Sequence, residues 1–432
     1  MENGQFVKAS ETFDKAITID PDFALAHIYQ AITNVGGFNV QRTNIDAALK
    51  NIDNVTTGER DLILLSAASI DHNQLKQKVY LDRLMTYFPN DKRVQMWAAN
   101  YYYNVGDYKT CRNHIESAIK IDSRFAPAYN SLGYTEWKLG NNTQSEEAIK
   151  KYISLLPENP NPYDSYGEIL LNIGKYDESI KQYNIALTKD PTFTNAMIGI
   201  GNNFTFKGNF ETARKWYQQC FDNTTDVELK LIALTLTAAS YIHEGNTALA
   251  IAALNKRIDF AIDNNLTTEM ITTYNSECLI LTEAGRVTEG LQMLDTATKT
   301  LESSILPNET KQTLLLQTNL NRCYALIANN SLDEAKQRMR MLIQTVNSRD
   351  NISEIQQLNT NLAMLELKQG DFNKAISYFE KSNLNSELNQ YYMGVAYSKL
   401  GNTIKAGELF SKVKNSRNNN INLAVVKSRA TE

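Results

Sequence analysis

Along Ala128-Tyr-Asn-Ser-Leu-Gly-Tyr-Thr-Glu-Trp-Lys-Leu-Gly140 the apolar side chains return every three or four positions, and a glycine ends the run. That spacing puts them on one face of a helix, and a terminal glycine suits the left-handed residue that closes one. Lys175-Tyr-Asp-Glu-Ser-Ile-Lys-Gln-Tyr-Asn-Ile-Ala-Leu187 predicts a second kind of amphipathic helix, stopped by Asp190-Pro191. Proline cannot continue a helix and restrains the residue before it. The two patterns alternate, so each unit is predicted to be a helix–turn–helix hairpin. A single hairpin cannot cover its own apolar stripe, and neighbours must stack.

The pattern has a period. Gly106, Gly140, Gly174 and Gly208 step by 34 residues, and so do Gly133, Gly167 and Gly201, each seven residues ahead of a glycine in the first series. The inner glycine lacks a Cβ, which lets a second helix approach closely. Units at 24–57, 58–91, 92–125, 126–159, 160–193 and 194–227 fit one register. The first is poor, with Gly36-Gly37 where one turn glycine is expected, and the turn after Gly140 is expected to be three residues long. Over 228–355 the register loosens, with turns at Gly245, Gly285 and Asn330; Gly370 and Gly401 follow, the steps being 40, 45, 40 and 31 residues. Longer helices are expected there, as over 301–316, and two regular repeats return in 356–415. Residues 416–432 read as an Asn-rich break followed by a short helix. Residues 1–23 read as the second helix of a hairpin whose first helix is absent, so the natural protein is expected to begin further upstream, with an export signal.

The string Tyr163…Gly167…Gly174-Lys-Tyr176…Tyr183…Ala186…Pro191 resembles the tetratricopeptide repeat family, as does Met197…Gly201…Gly208-Asn-Phe210…Ala213…Tyr217. The resemblance implies an all-α, right-handed α-solenoid of about eleven hairpins. It also implies that the first helix of each hairpin, helix A, lines a concave groove. By that geometry the outward positions are Met96, Asn100 and Tyr103, then Asn130, Tyr134 and Trp137, then Asp164 and Glu168, and finally Ile198 and Asn202. Aromatic area and asparagine amides suit an extended peptide. The competing reading packs Tyr103, Tyr134 and Trp137 between adjacent helices. Repeats that clamp a chaperone's terminal carboxylate carry lysine and arginine on helix A, where this chain has Met96, Ser131, Asn161 and Ser165. Asp164 and Glu168 favour a neutral or basic ligand segment instead.

Composition narrows the function further. In 432 residues, 44 Lys+Arg oppose 48 Asp+Glu for a net charge of −4, without the broad basic field that nucleic-acid binding needs. Apolar runs such as 62–65 are too short for membrane insertion. Cys111 and Cys220 fall where helix B wants a small residue, and Cys278 and Cys323 fall at the inner-glycine place, so all four read as core. His27, His72, His114 and His243 are scattered without metal-ligand spacing, and Ser117-Ala-Ile-Lys120 and Ser411-Lys-Val-Lys414 lack the partners of a serine hydrolase. No catalytic residue, metal or cofactor is expected. The expected function is a non-catalytic scaffold that holds a peptide segment or partner protein. A ligand-sensing regulator is the alternative, and a carbohydrate-binding component the next. The visible residues read as cytoplasmic, and as periplasmic or exported if a signal precedes them.

Overall fold

The computed structural model describes residues 6–431 apart from 34, 36, 72 and 350, so Gly36, His72 and the opening residues lie outside the described residues. Among the described residues there are 24 α-helices and two short 3-10 turns. Phe6–Ile19 is followed by eleven antiparallel pairs, from Ala24–Ile32 with Gly37–Lys50 to Glu387–Lys399 with Thr403–Asn415. Ile421–Val426 and the turn Arg429–Thr431 come last. This is an all-α helical-repeat solenoid. The chain forms two compact units, one ending at Ala196 and one beginning at Met197.

The turn at Gly106 shows the parts from which most of the described hairpin turns are built. At the end of Lys92–Asn104, Asp107 N–H bonds the Tyr102 carbonyl and Gly106 N–H bonds the Tyr103 carbonyl. This double closure needs a left-handed residue, and Gly106 has φ +81°. The Asp107 side chain then accepts from Thr110 N–H and caps the next helix. The second helices open at Tyr108, Asn142, Tyr176 and Phe210, each two residues past its turn glycine. The expected three-residue turn after Gly140 is therefore not formed, because Asn141 takes the place that Asp107 holds one repeat earlier. At 330 the left-handed place is filled by asparagine, φ +61°.

The two helices of a hairpin meet where a side chain is missing. A Cβ on Gly167 would lie 2.9 Å from the Tyr183 ring, and one on Gly201 would lie 2.7 Å from Tyr217 Cδ1 and nearer still to Cε1. Ser145 and Ser179 add a buried clasp, each hydroxyl donating across the hairpin to the Gly133 or Gly167 carbonyl at 2.7 and 2.6 Å. The place seven residues before the turn stays small beyond the glycines: Ala99, Ala238, Cys278, Cys323 and Ala363 are all buried. Burial also pushes the Cys220, Cys278 and Cys323 thiols up to about 11, so they pack as small apolar groups.

The loosened stretch is built of longer helices, 17 residues in Val287–Ser303 and 21 in Asn308–Ala328. The stretch 301–316 is not one helix, since the chain breaks between Ser303 and Asn308. Pro307 has no N–H to donate and sits at the cap of the second helix. In the second unit the C-terminal segment is core: Leu423 and Val426 are fully buried and cluster with Ala238, Ile280, Tyr324 and Ala396. Arg429 Nη2 reaches the buried Glu283 carboxylate at 2.5 Å, and the Tyr324 and Tyr392 hydroxyls donate to the same group. A buried carboxylate is tolerable when paired and hydrogen-bonded in this way.

Gly201→Ala should lower stability by about 1–3 kcal/mol, because the added methyl overpacks a ring that cannot retreat. Tyr217 is fully buried and its hydroxyl is tied to Thr205 and Asn202. Chemical denaturation of the variant against the parent checks this, and an unchanged midpoint would mean that the hairpin contact is loose.

Candidate functional site

In the first unit the helices Lys92–Asn104, Ala126–Lys138 and Pro160–Asn172 are the A helices of consecutive hairpins. Met96, Asn100, Tyr103 and Tyr134 surround a cavity of about 230 Å³, with Ser131 and Cys111 completing the wall. The Tyr103 ring stands edge-on to Tyr108 at 5.3 Å between centroids. Burial, with the Tyr108 and Glu168 charges behind it, pushes the Tyr103 phenol up to about 12. One repeat further on, the Tyr134 hydroxyl donates to Glu168 Oε2 at 2.6 Å.

The acidic pair is the most perturbed part of this face. Asp164 is half-buried, and burial together with the neighbouring Glu168 charge raises its carboxyl to about 8. Among the described residues neither carboxylate makes an ion pair. Lys138 lies nearby with its ammonium 4.1 Å from the Trp137 ring centroid, and burial lowers its pKa. Half-buried Trp137 is thus stacked under a cation and is not part of the cavity wall. Asn130 is half-buried, and its enclosed Oδ1 has no hydrogen-bond partner. Of the clamp positions, Ser131 lines the cavity, Asn161 Oδ1 accepts from the Tyr152 hydroxyl at 3.1 Å, and Ser165 is buried.

In the second unit Ile198 is half-buried. The Asn202 amide oxygen is held inside the fold, accepting from the Tyr217 hydroxyl at 2.9 Å and from Asn419 Nδ2 at 2.8 Å. Sequence spacing could not reveal the second partner, which is 217 residues away. A larger cavity of about 540 Å³, absent from the sequence reading, opens among the long helices around Asn275, Gln317 and Gln356. Its only trace in the sequence is a run of amides at helical spacing.

The three described histidines are occupied structurally. His27 bonds Asn44 and the Pro21 carbonyl, His114 stacks on Tyr102, and His243 stacks on Phe210 with its pKa lowered to about 4 by burial. Among the described residues no three His, Cys, Asp or Glu side chains converge to hold a metal, and no helix is long and apolar enough to cross a membrane.

Stacked helical hairpins, most of them closed by glycine turns, define a helical-repeat interaction scaffold. Residues 126–159 and 356–383 match the tetratricopeptide repeat family, so the chain carries tetratricopeptide repeats in both compact units. Scaffolds of this repeat are typically non-catalytic. The chain is 22% identical over 213 residues to the protein CTR9 homolog of Arabidopsis thaliana, a match that spans 46% of this chain and 19% of that protein. Among solved structures it is similar to MamA 41-end from Desulfovibrio magneticus RS-1, at 14% identity and TM-score 0.33 over 38% of this chain and 94% of that one. It is also similar to YrrB, described as a TPR protein with an unusual peptide-binding site, at 20% identity and TM-score 0.28 over 52% of this chain and 98% of that one.

Asp164 makes stability depend on pH. The unfolded carboxyl titrates near 3.9 and the folded one at about 8, so between these values the folded state holds a proton that the unfolded chain releases. Its contribution is therefore present at low pH and lost as pH rises from about 4 to about 8. Asp164→Asn should melt close to the parent at acidic pH and above it at about pH 8. Parallel melting curves across that range would show that Asp164 titrates normally.

Proposed function

We propose that the A-helix face of the first unit holds an extended peptide segment of a partner protein, and that the segment presents a lysine or arginine to Asp164 and Glu168. The carrying observation is the pair of carboxylates without an ion-pair partner, set beside an aromatic-lined cavity of about 230 Å³. An apolar ligand side chain would enter between Met96, Tyr103 and Tyr134, while Asn100 and Asn130 meet backbone polar groups. The unpartnered Asn130 Oδ1 supports this, since a buried acceptor without a donor is costly and a ligand N–H would satisfy it. Stacked hairpins hold the face in shape before the ligand arrives, which lowers the ordering cost of binding. The acidic lining disfavours an acidic tail, whose charge would face Glu168 across a partly desolvated gap. Ile198 and Asn202 belong to the second unit, and Asn202 is engaged by Tyr217 and Asn419. The proposed contacts are therefore Met96 to Glu168, with Trp137 contributing its Lys138-covered ring at the edge.

The test is fluorescence anisotropy with labelled peptides that carry one lysine or arginine flanked by leucine, against matched glutamate peptides. Basic peptides should bind selectively, and Asp164→Asn with Glu168→Gln should weaken them by about tenfold or more. A cation binds the ionised Asp164, so affinity should climb with pH, by up to about tenfold per unit, and level off above about 8. Indifference to ligand charge, or to both substitutions, would return these residues to a packing role.

A further inference from the structure

We propose that the second unit carries a separate binding site for an uncharged extended peptide, one wall of which is the chain's own C-terminal segment. The site is the cavity of about 540 Å³ between the helices Thr267–Glu283, Asn308–Ala328, Ile352–Gln369 and Glu387–Lys399. Asn275, Gln317, Asn321, Gln356 and Asn361 supply its polar wall, and Asn422 closes one side. Leucines from three of these helices supply apolar surface between the amides. Among the described residues, none that lines it carries a charge. This site does not rest on the reading of the first unit.

Three observations define the ligand. Asn275 is only 8% exposed and faces the cavity; its Nδ2 donates to Thr318 Oγ1 at 3.3 Å while its Oδ1 has no partner. A buried carbonyl with no donor is uncommon in folded proteins, and a ligand N–H supplies what is missing. The side-chain amides of half-buried Gln317 and Gln356 also make no hydrogen bond among the described residues. Each offers a donor and an acceptor together, the same pair that a peptide group presents. The neutral lining selects against charge, because an ion entering it would lose water and find no counter-ion.

An extended peptide fits better than a sugar. Tyr324, the only aromatic residue in the lining among those described, is 7% exposed and donates its hydroxyl to Glu283, so no free ring face is offered for stacking. The segment that leads to Asn422 is anchored outside the cavity. Residues 416–420 run without helical structure, and Asn419 Nδ2 donates to both Asn202 Oδ1 and Tyr217 Oη. The wall that Asn422 provides is firmly held, since Leu423 next to it is fully buried and Arg429 is bound to Glu283.

The experiment uses the full chain and a bead library of terminally blocked octapeptides built from Asn, Gln, Ser, Thr, Gly, Leu, Ile and Val. A second library with Lys, Arg, Asp or Glu at fixed positions and a panel of neutral oligosaccharides run in parallel. Uncharged peptides should be enriched over both. The best of them should lose about tenfold or more in affinity against Gln317→Glu with Gln356→Glu, and about threefold against Asn422→Ala. All three side chains are partly exposed and make no side-chain bond among the described residues, so circular-dichroism melting should be unchanged. Asp164→Asn should leave this binding as it is, which separates the outcome from that of the first unit. Enrichment of charged peptides or of oligosaccharides, or equal binding by the double glutamate variant, would overturn the proposal. Full affinity in Asn422→Ala would overturn the role given to the C-terminal wall.

Discussion

The ring that lies on a missing side chain is the contact from which the rest of this molecule follows. Tyr183 rests where a Cβ of Gly167 would be, Tyr217 where one of Gly201 would be, and Phe410 where one of Gly394 would be. A large ring facing a bare backbone lets two helices approach closely without a void, and close packing is what gives each hairpin a defined angle. Every later hairpin inherits that geometry, because repeats interact chiefly with their neighbours. Where the long helices begin, the small side is kept by Ala238, Cys278 and Cys323, all buried. The constraint is one of size at a fixed distance from the turn, and it survives where the step between turns grows from 34 to 40 and 45 residues.

That constraint explains which parts of the structure were legible in the sequence. The turn residue must be left-handed and the inner residue must be small, and each requirement leaves a mark that recurs at a fixed offset. Two coupled marks located the hairpins, even at Asn330, where asparagine replaces glycine. The failures have a common cause too. The length of the turn after Gly140 was misjudged from composition, although Asn141 simply repeats the place of Asp107. Residues 301–316 kept an apolar period across a helix break, since the end of one helix and the start of the next both bury leucines. Neither local pattern nor period records a bond such as that between Asn419 and Asn202.

The candidate faces were legible to a lesser degree for a related reason. Outward positions on the A helices are free of the packing rule, so their residue types vary without any periodic signature. In the first unit this freedom produces aromatic residues and two carboxylates; in the second it produces amides. Spacing can say that Tyr134 and Glu168 occupy corresponding faces one repeat apart. It cannot say that the hydroxyl of one would bond the carboxylate of the other, or that Asp164 would be desolvated enough to hold its proton near neutrality.

The C-terminal segment shows how a repeat architecture can acquire a contact that its repeats do not encode. Hairpin stacking leaves the outward faces of the A helices open, and in the second unit Leu423 to Val426 bury themselves there. Apolar burial alone would leave the register of so short a helix undefined. Glu283 supplies the register: a carboxylate 5% exposed needs a charged partner, and Arg429 meets it at 2.5 Å while the Tyr324 and Tyr392 hydroxyls donate to the same group. The pairing works less as added stability than as a locating pin, because the desolvation of both charges offsets much of their attraction. A segment pinned in this way has a fixed far edge, and Asn422 sits on that edge facing a lining of amides. Specific position, obtained from one buried ion pair, is what turns an end of the chain into part of a surface.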